Sequence, residues 1–354
     1  MRSYAVTFFC APVEPIETPP PAPKGTEVVV EVTRCGVCHS DLHLQEGFYD
    51  LGGGKKLSLA DRGVALPAVL GHEVLGRLVA KGPDAPIGDD QIGRTFVVYP
   101  WLGCGTCAPC FAGRDNECPK PSSIGVHRPG GYSEQCLVPH PRYLVDVSGL
   151  NPTLAATYAC SGLTAYGAVK KAEIDREKDR LLIIGVGGVG LSGLQIAKAL
   201  GFRHVVVADI DPDKRALALA NGADLAVDPR APEAGATLQS LDGGIAAAVD
   251  FVGARATAEF GTSVLRKAGI YVIVGLFGGD MTVSLPMLVL RALTVRGSYV
   301  GNLQELRELI ELAKAGRLSP LPVEEVPMAE VNGALERLRA GHVKGRLVLT
   351  REPV

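Results

Sequence analysis

Four cysteines crowd into one short stretch, Cys104-x2-Cys107-x2-Cys110-x7-Cys118. Four thiolates at this spacing complete a tetrahedral zinc shell with no open position, so the chemistry expected is structural. Such a metal stabilises a loop that has little core of its own. An iron–sulfur cluster is the rival occupant, but the ferredoxin run has three residues in its last gap where this chain has seven. The nine cysteines are an odd number, and this clustering points to a metal rather than to disulfides.

A second set of chemically capable residues is scattered. Cys38-His39-Ser40-Asp41-Leu42-His43 is dense in ligands and proton carriers, Gly71-His72-Glu73 follows an apolar run, and Cys160 stands alone. Spacing does not assemble these three groups. Taken singly, Cys160 reads as a buried apolar residue and His72 as a loop histidine.

A third signal is Gly185-Val-Gly187-Gly188-Val-Gly190, a G-x-G-x-x-G run. It follows the apolar Leu181–Val186 and opens a helical pattern over Val189–Leu200, which is the context a dinucleotide-binding turn requires. The glycines allow a tight turn, close approach of a pyrophosphate, and close packing of helix on strand; the helix N-terminus then presents free N–H groups to the phosphates. Asp209 lies directly after a second apolar run, Val205–Ala208. A carboxylate there accepts hydrogen bonds from the adenosine ribose and repels a 2′-phosphate, which predicts NAD rather than NADP.

The elements that must carry these residues differ along the chain. The proline-rich start, from Pro12 to Pro23, reads as an extended or edge segment. Glu27–Val32 reads as a strand, and residues 33–160 read as short strands and glycine-rich loops without strong helical periodicity. From about Cys160 onwards, apolar runs (Leu181–Val186, Val205–Ala208, Ala246–Val252, Ile270–Val274) alternate with helical patterns such as Asp213–Asn221, predicting a doubly wound parallel sheet. Leu303–Gly316 and Val331–Gly341 read as helices, Gly345–Thr350 as a closing strand, and Leu285–Val295 as apolar strand able to extend a sheet across a two-fold axis.

The net charge of −2 gives no broad basic surface for nucleic acid or an anionic membrane. The most apolar stretch, Leu181–Leu200, is broken by glycines and polar residues, and Met1–Pro12 does not have the pattern of a signal peptide. A cytoplasmic protein is therefore expected.

The order of these pieces resembles the zinc-dependent medium-chain alcohol dehydrogenases, and looks most similar to their yeast and bacterial branch. The similarity rests on Cys38–His43, Gly71-His72-Glu73, the four-cysteine lobe, Cys160 and the glycine turn, and spans about residues 4–350. It implies a mostly-β GroES-like catalytic domain split in sequence, 1–161 and 296–354, around a Rossmann NAD-binding domain at 162–295, with the structural zinc lobe at 103–119. It implies two zinc ions per chain and NAD. The catalytic zinc would be held by Cys38, His72 and Cys160, with Glu73 beside it and Asp41 orienting His72; the structural zinc would be held by Cys104, Cys107, Cys110 and Cys118.

The resemblance also implies a proton path through Ser40 and His43. Cofactor contacts would come from His39, Thr164, Val189, Lys214, Val274 and Arg346, besides the glycine turn and Asp209. The substrate pocket would be lined by Trp101 and by Phe48 or Tyr49. The partners implied are a small alcohol or carbonyl substrate and further copies of the chain, a tetramer ahead of a dimer.

Where the chain departs from simple members of that branch is the long segment Phe48–Leu66, expected to cover the substrate entrance. Its Lys55, Lys56 and Arg62 are candidates for meeting an acidic group on the substrate; ordinary solvated charges are the plainer expectation. The zinc ligands argue against the quinone and enoyl reductases of the same fold. They leave open a polyol, threonine, thiol-adduct or acid- or CoA-bearing alcohol as substrate. A zinc-stabilised binding protein without catalysis would have no use for Ser40 and His43.

Overall fold

Strand Val28–Gly36 is the backbone of the first half of the chain: Val28, Val29, Val30, Val32 and Cys35 are all buried. The sequence predicted a strand ending at Val32. It runs on to Gly36 because its far end is paired on both sides, Gly36 with Glu73 of strand Glu73–Lys81 and with Val348 of strand Arg346–Thr350, both antiparallel. These strands belong to a seven-stranded sheet that also holds Thr95–Val98, Gln135–Val138, Leu144–Asp146 and Val323–Pro327. A computed structural model describes residues 1–351 of the chain.

Helix His39–Glu46 follows this strand immediately, in a region where no helix was expected. Its buried positions include Asp41 and Gln45 beside Leu42 and Leu44, so it shows no clean apolar stripe of the kind periodicity detects. The Phe48–Leu66 segment opens with a small antiparallel hairpin, Phe48–Asp50 against Lys56–Ser58. The proline-rich start contributes an edge strand, Glu14–Glu17, paired with Arg2–Val6, the middle strand of a three-stranded sheet completed by Ala68–Val69.

The second half is the expected parallel sheet. Six strands lie in the order Leu225–Val227, His204–Ala208, Arg180–Ile184, Ile245–Asp250, Leu265–Ile273, Thr294–Gly297, and every neighbouring pair is parallel. Helices such as Gly188–Ala199 and Pro212–Ala220 connect them. Strands buried on both faces read as the continuous apolar runs seen in the sequence.

One expectation here is corrected. Leu285–Leu290 is a short helix with a proline in its first turn, not a strand. Proline suits that position because its missing N–H has no helical partner there anyway. Only Thr294–Gly297 is strand, and it forms the sheet edge. The helix leaves Leu285, Val289 and Leu290 at 72%, 76% and 67% exposure, an apolar face far larger than scattered surface residues give.

After this edge the chain forms helices Leu303–Lys314 and Val331–Arg339. The first is fixed by a reciprocal cap: Glu305 N–H donates to Asn302 Oδ1 (2.9 Å) and Asn302 N–H to Glu305 Oε2 (3.0 Å). The last strand, Arg346–Thr350, then rejoins the first sheet. No helix among the described residues is long and apolar enough to cross a membrane.

Candidate metal centre and cofactor turn

The register of the first sheet brings the scattered ligands together. Cys38 caps helix His39–Glu46 just beyond Gly36, and His72 precedes Glu73, the residue paired with Gly36. Cys160 caps helix Ser161–Lys170, whose first N–H donates to Glu73 Oε1 at 3.0 Å. The Sγ atoms of Cys38 and Cys160 are 3.9 Å apart, and the donor atoms of Cys38, His72 and Cys160 all lie within 4.8 Å of one another. All three residues are buried. Two zinc–sulfur bonds at a tetrahedral angle need sulfurs roughly 3.8 Å apart, so the spacing fits zinc.

The polar accounting fits as well. Both His72 ring nitrogens are buried without a hydrogen-bond partner; Nδ1 lies 3.4 Å from Asp41 Oδ1, a charge contact outside good hydrogen-bond geometry. Contact with Cys160 lowers the Cys38 thiol pKa well below its usual value, while contact with Cys38 and then burial raise that of Cys160 well above it. Two thiolates this close repel in a buried site, and a divalent cation is what allows both to ionise. Burial works against a protonated His72, but the Asp41 carboxylate overrides it and drives its pKa upward. The pocket is short of positive charge where a metal would sit.

Glu73, expected beside the zinc, lies next to the triad and faces Arg346. It is not among the clustered donors. Its Oε2 accepts a 2.6 Å hydrogen bond from Arg346 Nη2, and its Oε1 is taken by the Ser161 amide. Burial pushes its carboxyl up, to about 7, and Arg346 pulls against that. The Glu73–Arg346 pair is fully buried at 0% and 4% side-chain exposure and was invisible in the sequence, where its members are far apart.

Arg346 also reaches the glycine turn. A side chain at Gly188 would meet Arg346 Cδ at 2.5 Å, and Arg346 Nε is buried without a partner. The turn itself has the expected build. A Cβ at Gly190 would fall 1.8 Å from the Gly185 carbonyl oxygen, whereas a Cβ at Gly187 would meet nothing within 4 Å. Gly190 thus serves helix packing, and Gly187 leaves the space a pyrophosphate needs. Asp209 Oδ2 accepts from Val186 N–H at 2.8 Å and its Oδ1 from Asp211 N–H at 2.9 Å, fixing the carboxylate beside the turn.

Of the remaining cofactor candidates, His39 lies close to Arg346 and Lys214. Burial pushes the His39 imidazole below its usual value, with Arg346 and Lys214 among the cations that add to this. Lys214 sits 3.9 Å from Asp211 in the first turn of helix Pro212–Ala220. Thr164, one turn into the helix that Cys160 caps, has a buried hydroxyl without a partner. Val189, near the start of helix Gly188–Ala199, and Val274, just after strand Leu265–Ile273, are half-buried.

Trp101 lies 5.3 Å from the His72 ring and Tyr49 lies 4.9 Å from the His43 ring, centroid to centroid. Ser40 Oγ is 3.8 Å from Cys38 Sγ. Of the two hairpin aromatics only Tyr49 joins this group. Phe48 is on the opposite face, capped by Lys56 Nζ at 3.7 Å from its ring, because neighbouring strand residues point to opposite sides. Tyr299, which the sequence reading missed, stands 5.8 Å from Trp101 edge to face. No spacing pattern announces it.

The four-cysteine lobe is local. Cys107 caps helix Ala108–Phe111 and Cys118 ends a short turn over Asp115–Glu117. The four sulfurs lie within 4.8 Å of one another, with Cys107 to Cys110 at 3.4 Å and Cys107 to Cys118 at 3.7 Å. The amides of Cys104 and Lys120 donate to Cys118 Sγ at 3.2 and 3.3 Å. Contacts with Thr106 push the Cys104 thiol down to about 6, and burial pushes Cys110 up to about 12. The lobe also reaches the aromatic group beside the triad: Asn116 Nδ2 donates to the Tyr299 carbonyl at 3.1 Å.

Comparison with known proteins agrees with this geometry. Residues 24–149 match the model of the alcohol dehydrogenase GroES-like domain, and residues 188–315 that of the zinc-binding dehydrogenases. The chain is 33% identical over 351 residues to an NAD-dependent alcohol dehydrogenase of Sulfurisphaera tokodaii, covering 99% of each. Among solved structures it resembles the alcohol dehydrogenase of Aeropyrum pernix (TM-score 0.88, 30% identity, 99% and 100% coverage). It also resembles an acetophenone reductase of Geotrichum candidum in complex with NAD (TM-score 0.85, 29% identity, 99% and 97% coverage). The chain belongs to the zinc-dependent medium-chain alcohol dehydrogenase family.

Proposed function

We propose that this protein oxidises an alcohol to the carbonyl compound, reversibly, with NAD as hydride acceptor. The observation that carries the reading is Arg346, which touches Glu73 next to the buried Cys38–His72–Cys160 triad and, through its side-chain stem, the glycine turn. A metal site and a dinucleotide site therefore share one wall. Zinc on the triad would supply a Lewis acid that makes the alcohol hydroxyl easier to deprotonate, and the hydride chemistry belongs to NAD. Ser40 accepts the alcohol proton and passes it towards His43. Burial holds His43 below its usual pKa, with Glu46 opposing, so it is neutral and able to accept at pH 7. Thr164 and Val189 hold the nicotinamide, and Asp209 selects NAD. Trp101, Tyr49 and Tyr299 line the pocket.

The test is absorbance of reduced nicotinamide with NAD or NADP and a panel of primary, secondary, aromatic and acid-bearing alcohols, with and without a zinc chelator. Chelator-sensitive NADH formation is expected. Turnover indifferent to the chelator would refute the reading.

Within that reading, Arg62 favours an acid-bearing alcohol. The three cations of the long segment are all exposed but differ in surroundings: Lys55 lies near the hairpin tip, Lys56 covers Phe48, and Arg62 lies in a turn held by Arg62 and Val64 N–H bonds to Leu59 O, both 3.0 Å. Burial raises the Tyr49 and Tyr299 phenols, and Arg62 pulls both back, so its guanidinium shares their surroundings. It has no acidic partner among the described residues. Arg62→Gln should lower kcat/KM about tenfold more for a hydroxy acid than for the neutral alcohol of the same length, as loss of one charge-assisted contact does. Equal effects on the two would remove Arg62 from substrate selection.

The catalytic unit is 1–161 with 296–354, and the NAD unit 162–295. The exposed apolar helix Leu285–Leu290 beside the sheet edge suits an isologous contact, so a homo-oligomer, tetramer or dimer, is part of the proposal, as is a cytoplasmic location.

A further inference from the structure

Asp41 is entirely buried, and all its oxygens are engaged. Oδ2 accepts from Cys38 N–H and from the Tyr132 hydroxyl, both at 2.9 Å. Oδ1 faces Gly71 N–H and His72 Nδ1, both at 3.4 Å. One carboxylate thus spans two of the three triad residues, holding the backbone of Cys38 and the ring of His72. Among the described residues, Tyr132 is the one side-chain hydroxyl that bonds it, and it comes from a segment that otherwise meets the triad only through the backbone just before His72.

Tyr132 is itself fixed. It is fully buried, its N–H donates to Leu70 O at 2.9 Å, and its carbonyl accepts from Tyr4 N–H at 2.7 Å. Gly131 N–H donates to Gly71 O at 2.7 Å. A side chain at Gly71 would meet the Tyr132 ring at 2.4 Å, so the glycine before His72 lets that ring lie against the ligand's own backbone. The hydroxyl is delivered to Asp41 by a packed ring on a backbone hydrogen-bonded on both sides.

We propose that Tyr132 is a positioning residue for the catalytic metal, acting through Asp41 on His72. The carboxylate carries two lone-pair sites per oxygen and is held by four groups. Without the phenol it keeps the Cys38 amide on Oδ2 but loses the donor that sets its tilt towards His72. A partner at this remove from a metal changes affinity by roughly 10–100-fold when it is lost. This rests on the triad binding zinc, and the experiment separates the two statements.

The variant is Tyr132→Phe, which keeps the ring and its packing. Zinc per chain is followed during timed exposure to a chelator, and the visible spectrum is recorded after cobalt substitution. The triad metal should leave about tenfold faster than in the wild type, the lobe metal should leave at its unchanged rate, and the cobalt bands of the triad should shift. Unchanged loss of the triad metal with an unchanged spectrum would show that Tyr132 only packs. Faster loss of both metals together would show a general loosening of the fold and would equally overturn the proposal. A wild-type triad that takes up no zinc or cobalt would instead sink the reading of the site itself. Should the Phe variant not fold, 3-fluorotyrosine placed at position 132, a stronger donor of the same shape, is expected to slow loss of the triad metal; no slowing would count against the proposal.

Discussion

The two clusters of metal-binding side chains are made in opposite ways. The lobe draws Cys104, Cys107, Cys110 and Cys118 from one continuous loop, and its first ligand is exposed. The triad draws Cys38, His72 and Cys160 from three distant segments, and all are buried. The triad's geometry is set by strand register, the Asp41 carboxylate and the Glu73–Ser161 bond before any metal arrives. The lobe is held by two short helical turns, amide–sulfur bonds and a few polar contacts, with little apolar core, so its shape depends more on the metal. A preformed site can keep a coordination position open for chemistry; a site formed by its metal is closed.

The largest effect that separates them is loss of a triad ligand. Cys160→Ser should lower NADH formation by about a thousandfold or more, the rate equivalent of several kcal/mol of lost charge stabilisation. One metal per chain should disappear while the fold stays, as circular dichroism would show. Retained activity would deny the triad its role.

Loss of a lobe ligand should act through stability instead. Cys107→Ser is expected to lower Tm by about 5 °C or more and to raise KM before it lowers kcat, because the Asn116 bond to the Tyr299 carbonyl goes with the lobe. A variant with unchanged Tm would mean that the loop holds its shape without metal.

A smaller, pH-dependent effect tests the proton path. His43→Gln should slow turnover by about a hundredfold and leave both metals and NAD affinity in place. In the wild type the acid limb of kcat should fall below pH 6.5, the unperturbed histidine value, because burial disfavours the protonated ring: activity is full above that pKa and is lost as pH drops through it. The variant should lack this limb. An identical limb in both proteins would place the titration elsewhere.

The same contrast decides what could be read without a structure. The lobe was legible because spacing along one loop is spacing in space. The glycine turn and Asp209 were legible because strand, turn and helix are consecutive. The parallel sheet showed itself in buried apolar runs, although Leu285–Val295 misled, since a short helix and an edge strand carry the same residues a buried strand would. The triad could be named only through family likeness, as no local pattern links positions brought together by sheet register. The Glu73–Arg346 pair, Tyr299 and the Tyr132–Asp41 bond escaped altogether, each joining segments that only the tertiary fold makes neighbours. Phe48 and Tyr49 were equivalent on paper, and the sidedness of a strand separated them.

The most direct test of the account is stepwise metal removal from the intact enzyme, reading zinc per chain, NADH formation and thermal unfolding on the same samples. The account predicts two zinc ions at the start. Activity should follow the triad metal to zero while that metal leaves a folded protein, and the lowered unfolding temperature should follow the lobe metal. Activity that persists after the triad is emptied, or a protein that binds one metal only, would contradict it.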